Sequence, residues 1–466
     1  MLKRRNARLF GSTLVIFLAF ICSSCENKGR EELVIPLQGE SKLTPVASYY
    51  IENNYDNTMP TIEKVEQVFT SPDGICTIEK KKSYYDVTLE YEGNDYYDVG
   101  AAYAQAILLS FPDYAKTMEP YLFENIKAKF PDLDGDYSAV KERADALKSS
   151  LPEEYQREME GYADVISGGV TGYKEDGILS YDEAVLYQMV PDTLRGTACS
   201  SITVNGNKTE TGERISARIL DWNLGTENQI CKCHCVLHMK NGDKSLTSVS
   251  ILGLFDIITA VNDDGVMTGI HDVGTSNDVV YTYENKTAYS YDLRYALENF
   301  KTAREVGEYL ISNCSSYTFS SNILLTDRND AFCAELPISN KDGTPVLRDS
   351  STILNRGLIW DDKDILCIVN SFAAKENSDK LTNHPTNIVR WDKYNKLFCG
   401  EGMMSFNRFK ELLTCEKATE DSIIKFRGKS AVHVVVVDYK SGTIQAILPD
   451  DRGMRDNPEF IFLGEY

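Results

Sequence analysis

Histidine is scarce in this chain, with five in 466 residues. There is no Gly-x-Ser-x-Gly and, beyond residue 25, no Cys-x-x-Cys. The first absence argues against a serine hydrolase built on a nucleophile elbow, the second against a dithiol redox motif. With so few imidazoles, a Cys–His pair has no obvious base. Basic side chains are also in deficit: 49 Lys and Arg against 70 Asp and Glu leave a formal charge of −21. That balance argues against nucleic acid as a partner and against electrostatic binding to anionic lipid. After the first 25 residues no apolar run is long enough to cross a bilayer. What remains is a globular composition, 42% hydrophobic and 10% aromatic. It is ample for one large core, or a core with an appended helical lobe.

The first 25 residues read as a leader. Lys3, Arg4, Arg5 and Arg8 form a basic start, and Leu14 to Ile21 is an apolar run too short to span a membrane. Cys22-Ser23-Ser24-Cys25 then resembles a bacterial lipoprotein cleavage site, which implies acylation of Cys25 and export to a membrane face. Residues 26–41 are charged and lack a hydrophobic pattern, as in a tether. Twelve cysteines are many for an exported chain, but they show no regular framework spacing.

Residues 42–198 are expected to form a mainly helical lead-in. Tyr85–Tyr91 alternates like a strand, Asn94 to Gly100 enters a helix that runs through Ala101 to Ser110, and helical periodicity continues through Tyr114–Phe130 and Ser138–Ser149. Pro152 opens another helix, which carries Glu158-x-x-Gly161-x-Ala163, and Ser180 with Glu183 fits a capping box. Helical glycine and alanine at such spacing also suit plain close packing.

The organising stretch follows. Cys199 to Val204 alternates, Asn205-Gly206-Asn207 is turn chemistry, and Ile215 to Leu220 alternates again. A hairpin there brings Cys199 near Arg218 and Asp221. On spacing alone this is equally an ordinary core hairpin with a buried thiol and a surface ion pair. A Cys followed by a hairpin and Arg-x-x-Asp, however, resembles the start of the mature chain in N-terminal-nucleophile (Ntn) hydrolases. Isopenicillin-N acyltransferase-like proteins, acid ceramidase and choloylglycine hydrolase are such families. The pro-region of the first of these is similar in order to residues 94–187 here. The resemblance implies an α+β fold, a four-layer αββα sandwich of two antiparallel sheets. Residues 199–466 would be its catalytic core.

Further along, Ile230 to His238 is expected as a strand with Cys231, Cys233 and Cys235 on one face and His234 and His238 on the other. One strand cannot present all five to a single tetrahedral metal, so packing is the simpler reading. Ile257 to Ile270 reads strand, turn, strand, and resembles a family hairpin with Asn262 at its turn. His271 follows as a pocket candidate, as does Asn262. Ser290–Phe300 and Ala303–Ser312 read as helices, Asn322–Thr326 and Ala331–Leu336 as strands. Ile365 to Phe372 is a buried-looking strand ending in polar residues. There Asn370 resembles the family asparagine that helps form an oxyanion hole, and Asn383 is its competitor in sequence. Arg390 resembles an arginine that follows that asparagine. Val432–Asp438 and Thr443–Leu448 form a closing hairpin.

The resemblance implies cleavage of Ala198–Cys199, attack by the Cys199 thiol on an amide carbonyl, and a thioester. The new α-amine, with an ordinary pKa of about 7.7–8.0, would serve as base. Asp221 would orient that amine, Arg218 would support the Asp221 carboxylate and the nucleophile, and Asn370 would donate to the oxyanion. The expected substrate is a small-molecule or lipid N-acyl amide, and no cofactor or metal is called for. The competing expectations are phospholipase B-like ester hydrolysis, and a surface lipoprotein that binds ligand without self-cleavage.

Overall fold

A computed structural model describes residues 60–194, 199–274, 283–378, 385–414, 431–450 and 459–466, all within one compact unit. The leader, the tether, Cys25, Ala198 and Asn383 lie outside the described residues.

In chain order the strands are β1 (Gln67–Thr70), β2 (Cys76–Lys80), β3 (Tyr85–Glu90), β4 (Ser200–Val204), β5 (Ile215–Asp221), β6 (His234–Asn241), β7 (Lys244–Ile251) and β8 (Thr259–Asn262). They continue as β9 (Met267–Asp272), β10 (Ser321–Thr326), β11 (Ala331–Leu336), β12 (Val346–Arg348), β13 (Ile365–Val369), β14 (Ala431–Asp438), β15 (Thr443–Ile447) and β16 (Ile461–Glu465). The helices that precede Cys199 are α1 (Tyr96–Ser110), α2 (Tyr114–Lys129), α3 (Ser138–Ser149), α4 (Glu153–Ser167), α5 (Tyr181–Tyr187) and α6 (Val190–Thr193). After it come α7 (Tyr289–Asn299), α8 (Ala303–Asn313), α9 (Pro385–Tyr394) and α10 (Phe406–Thr414). No described helix is long and apolar enough to cross a membrane.

Two sheets result. One has the order β1-β2-β3-β6-β7-β8-β9-β10-β11-β12, the other β13-β4-β5-β14-β15-β16. Strand alternation sorts side chains into three apolar layers. In β14, Val435 and Val437 face the large sheet, where they meet Val249, Val261 and Leu324. Val434 and Val436 face the other way, onto Trp391, Tyr394, Phe409 and Leu412 of α9 and α10. The far side of the large sheet packs Leu237, Ile270 and Ile323 against α1, α2, α4, α7 and α8. Helices, sheet, sheet, helices: the molecule is an α+β four-layer sandwich.

The lead-in is less purely helical than its periodicity suggests. It supplies β1, β2 and β3, and β3 joins the large sheet by the parallel pairing Tyr85↔Cys235, the one parallel ladder among the described strands. Strand β1 is mostly exposed, so it carries no inside–outside alternation to read. The helices fall where expected. Asp95 caps α1 by accepting from Tyr97 N at 2.8 Å, and the Ser180–Glu183 capping box is present. Glycines 100 and 161 let α1 and α4 touch backbone to backbone. A Cβ on Gly161 would lie 1.9 Å from Tyr97 O.

The expected strand from Ile230 starts later. Gln229–Lys232 is a 3-10 turn and β6 begins at His234. Its cysteines and histidines go to separate partners: Cys233 to Met118 Sδ, His234 Nε2 to Pro449 O, His238 to Asp86 and Thr247. All nine described cysteines are free thiols.

Candidate active site

Register sets the site. Strand β4 lies between β13 and β5, with Ser200 opposite both Val369 and Ile219. One step further along, Cys199 therefore comes level with Asn370 on one side and Leu220 on the other. Alternation turns Ser201 and its partner Arg218 toward the large sheet. It turns Ser200 outward, where Tyr394 Oη–H donates to Ser200 Oγ at 2.9 Å.

Arg218 Nη2 lies 3.0 Å from Cys199 Sγ. The guanidinium is also held by Ile219 O and Ile270 O. It fits because residue 269 is glycine: a Cβ there would lie 2.3 Å from Arg218 Cδ. Cys199 N donates to Asn370 Oδ1 at 2.6 Å, and Arg390 Nη2 donates to the same oxygen at 3.0 Å. Arg390 Nη1 donates to Cys199 O. Two donors on Oδ1 fix the orientation of the Asn370 amide, whose Nδ2 donates to Asp272 O at 2.9 Å. That nitrogen carries a second N–H, the one that an oxyanion would use.

Four residues singled out from the sequence, Cys199, Arg218, Asn370 and Arg390, thus come together. Asp221 ends β5, opposite Ala431, and is buried. The nitrogen it was expected to orient is met here by Asn370 Oδ1. His271 sits behind the cluster rather than in a pocket. Burial and the Arg218 guanidinium hold its imidazole well below the ordinary range, so the ring is neutral. Its Nδ1–H donates to Asn322 O at 3.2 Å, which leaves Nε2 to accept from Ser201 Oγ–H at 2.8 Å. The structure does not bring Asn262 to the cluster. It sits at the β8–β9 turn, at the other end of that hairpin from Asp272, with Nδ2 on Leu297 O and Phe300 O. Its amide holds that turn against the end of α7.

Sequence reasoning missed Asn387, whose Nδ2 donates to Asn370 O at 3.1 Å and whose Oδ1 accepts from Arg390. Its position three residues before Arg390, on the same helix face, was the available signal. It also missed Asn322, for which no local signal exists. Cys199, Arg218, Asp221 and Arg390 are all buried, while Asn370 is half-buried. Two cavities, of about 730 Å³ by Lys64, Lys80 and His234 and of about 410 Å³ by Tyr96, Tyr155 and Tyr295, are lined by none of the clustered residues.

No family model matches the sequence, and no curated protein does. Among solved structures, the chain is similar to a Caenorhabditis elegans N-acylethanolamine-hydrolyzing acid amidase ortholog. The identity is 14% and the TM-score 0.38, over 57% of this chain and 100% of that one. It is also similar to a mutant of the conjugated bile acid hydrolase from Clostridium perfringens. There the identity is 11% and the TM-score 0.31, over 57% of this chain and 97% of that one. At such TM-scores the likenesses carry no argument. The layers define an α+β protein of αββα architecture.

Proposed function

We propose that this chain is a self-cleaving N-terminal-cysteine hydrolase or acyltransferase that acts on linear N-acyl amides. The observation that carries the reading is the arrangement around one residue. Cys199 has its sulfur 3.0 Å from Arg218 Nη2 and its nitrogen 2.6 Å from Asn370 Oδ1, directly before β4 of the smaller sheet. A cysteine kept only for packing needs neither polar partner.

In the first reaction Cys199 Sγ bonds to the carbonyl carbon of Ala198. The C–N bond to Cys199 breaks and the nitrogen takes the thiol proton. Water then hydrolyses that thioester, leaving a carboxylate on Ala198 and a free amine and thiol on Cys199. In the second reaction the amine accepts the thiol proton as sulfur attacks a substrate amide. The leaving amine departs with that proton, and water or an acceptor amine resolves the acyl-enzyme. The second N–H of Asn370 Nδ2 faces the oxyanion in either attack, a role in which losing one donor costs about 3 kcal/mol. Arg218 holds the sulfur, Arg390 holds both the Cys199 carbonyl and Asn370, and Asp221 supports the amine. With Cys25 acylated, the enzyme would work from a membrane face outside the cytoplasm.

The test is acyl trapping. Purified protein is incubated with a panel of N-acyl amides and of phospholipids, quenched in acid and analysed by peptide mass spectrometry. An acyl adduct on Cys199 from the amides, lost on hydroxylamine treatment and absent from Cys199→Ala, is expected. Turnover retained by Cys199→Ala would reject the assignment, and adducts from phospholipids alone would move the chemistry to esters.

A further inference from the structure

The oxyanion asparagine stands on a turn, not in a strand: β13 ends at Val369 and Asn370 is the next residue. A turn residue can direct a donor only if something holds its main chain. Here the three consecutive carbonyls of that turn are all taken by side-chain amides. Asn322 Nδ2 donates to Val369 O and to Ser371 O, both at 3.0 Å. Asn387 Nδ2 donates to the carbonyl between them.

The position of Asn322 explains why it can do this. It is the cross-strand partner of His271 on β10, so both side chains face the small sheet. At this end of the sandwich three neighbouring positions of the large sheet meet three neighbouring strands of the small one. Gly269 receives Arg218 of β5, His271 meets Ser201 of β4, and Asn322 meets the end of β13. The spacing of the two sheets beneath Cys199 is therefore set at each strand that contributes to the site.

We propose that Asn322 is a positioning residue for the reaction: by bridging the carbonyls on either side of Asn370, it fixes the turn that aims Asn370 at Cys199. Its amide is an expensive choice for packing alone. Asn322 is fully buried, and its Oδ1 has no hydrogen-bond partner among the described residues. Reversing the amide would set that oxygen against two carbonyls, so the two N–H bonds determine its orientation. A leucine of similar size would fill the space and carry no polar atom of its own, but it would leave the Val369 and Ser371 carbonyls unbridged.

This inference rests on the self-cleaving reading, and self-cleavage supplies a probe that needs no added substrate. The full chain is expressed, and the first-order rate of conversion to two fragments is followed by intact mass. The set is the parent, Asn322→Leu, Asn322→Ser, Asn370→Ala and the two double variants, with thermal midpoints for each. Asn322→Leu keeps the volume, and Asn322→Ser leaves room for water should leucine prevent folding. Each is expected to slow cleavage about 10²-fold alone, as displacement of a catalytic group by an ångström does. In the Asn370→Ala background the same substitution is expected to change the rate less than about 3-fold, because its target is already gone. The same loss in both backgrounds would overturn the proposal, as would unaltered cleavage in a folded Asn322 variant. If Asn370→Ala alone cleaves at the parent rate, the oxyanion assignment fails instead. If the parent itself never cleaves, the functional reading fails.

Discussion

At Gly269 the absence of a side chain is what admits the guanidinium of Arg218. Gly269→Ala would put a methyl carbon 2.3 Å from Arg218 Cδ, with the arginine packed between two sheets. The expected outcome is an arginine pushed off Cys199, self-cleavage slowed by about 10²-fold, and a stability cost of about 1–3 kcal/mol. Cleavage rate and urea midpoint read the two effects, and an unchanged rate would show that Arg218 is dispensable at the sulfur.

Asp192, seven residues before Cys199, allows a second test. It is fully buried, bonds Ser290 through N and Oγ, and burial raises its carboxyl to about 7. The unfolded chain releases that proton near pH 4. Stability from this group is therefore fully present below about pH 4 and is lost as pH rises toward 7, by up to about 4 kcal/mol. Asp192→Asn should be nearly neutral at pH 4 and more stable than the parent at pH 8, compared by urea midpoints. An equal difference at both pH values contradicts this. His271 and His433 act in the opposite sense. Both are held neutral by burial, and both weaken the fold as pH falls below the ordinary imidazole range.

Among the elements, α4 and α7 are joined by a buried clasp that crosses the proposed cleavage point. Arg294 Nη1 of α7 lies 2.5 Å from Glu158 Oε2 of α4, with both side chains almost wholly buried. Tyr91 Oη–H donates to the same carboxylate, and the guanidinium rests 4.4 Å from the Tyr155 ring. Removing one partner leaves the other charged and buried. Glu158→Ala should therefore cost about 3–5 kcal/mol, measured by urea unfolding. A cost under about 1 kcal/mol would mean that the pair is not carrying the junction.

Elements were also the scale at which the sequence could be read best. The β4–β5 hairpin shows alternation on both sides of turn residues, and α5 announces itself by its capping box. β14 is a run of valines that no surface strand would carry. Cys199, Arg218 and Asn370 were legible because each stands at or near the end of such a strand. Asn322 was not, since its role depends on which strand of the opposite sheet it faces. Asn262 misled for the converse reason: its local pattern fits a family turn, while its side chain caps a helix end instead. β1 escaped because it is mostly exposed, and β2 because its alternation, with Cys76 and Ile78 buried, spans only five residues.

For the molecule as a whole, the parallel pairing of β3 with β6 has a consequence for processing. Residues before Cys199 contribute three strands to the large sheet and four of the longer helices to its outer layer. Cleavage at residue 199 would yield two chains that share one core, not an activation peptide that drifts away. The two pieces should co-elute from a sizing column in native buffer and separate only in denaturant. Release of the smaller piece under native conditions would contradict the shared core.

The most direct measurement is the intact mass of the purified chain, with the amino-terminal residue of each species identified. A second amino terminus at Cys199, absent from Cys199→Ala, is the predicted result. A single uncut species after prolonged incubation would contradict it, as would cutting that proceeds unchanged in the alanine variant.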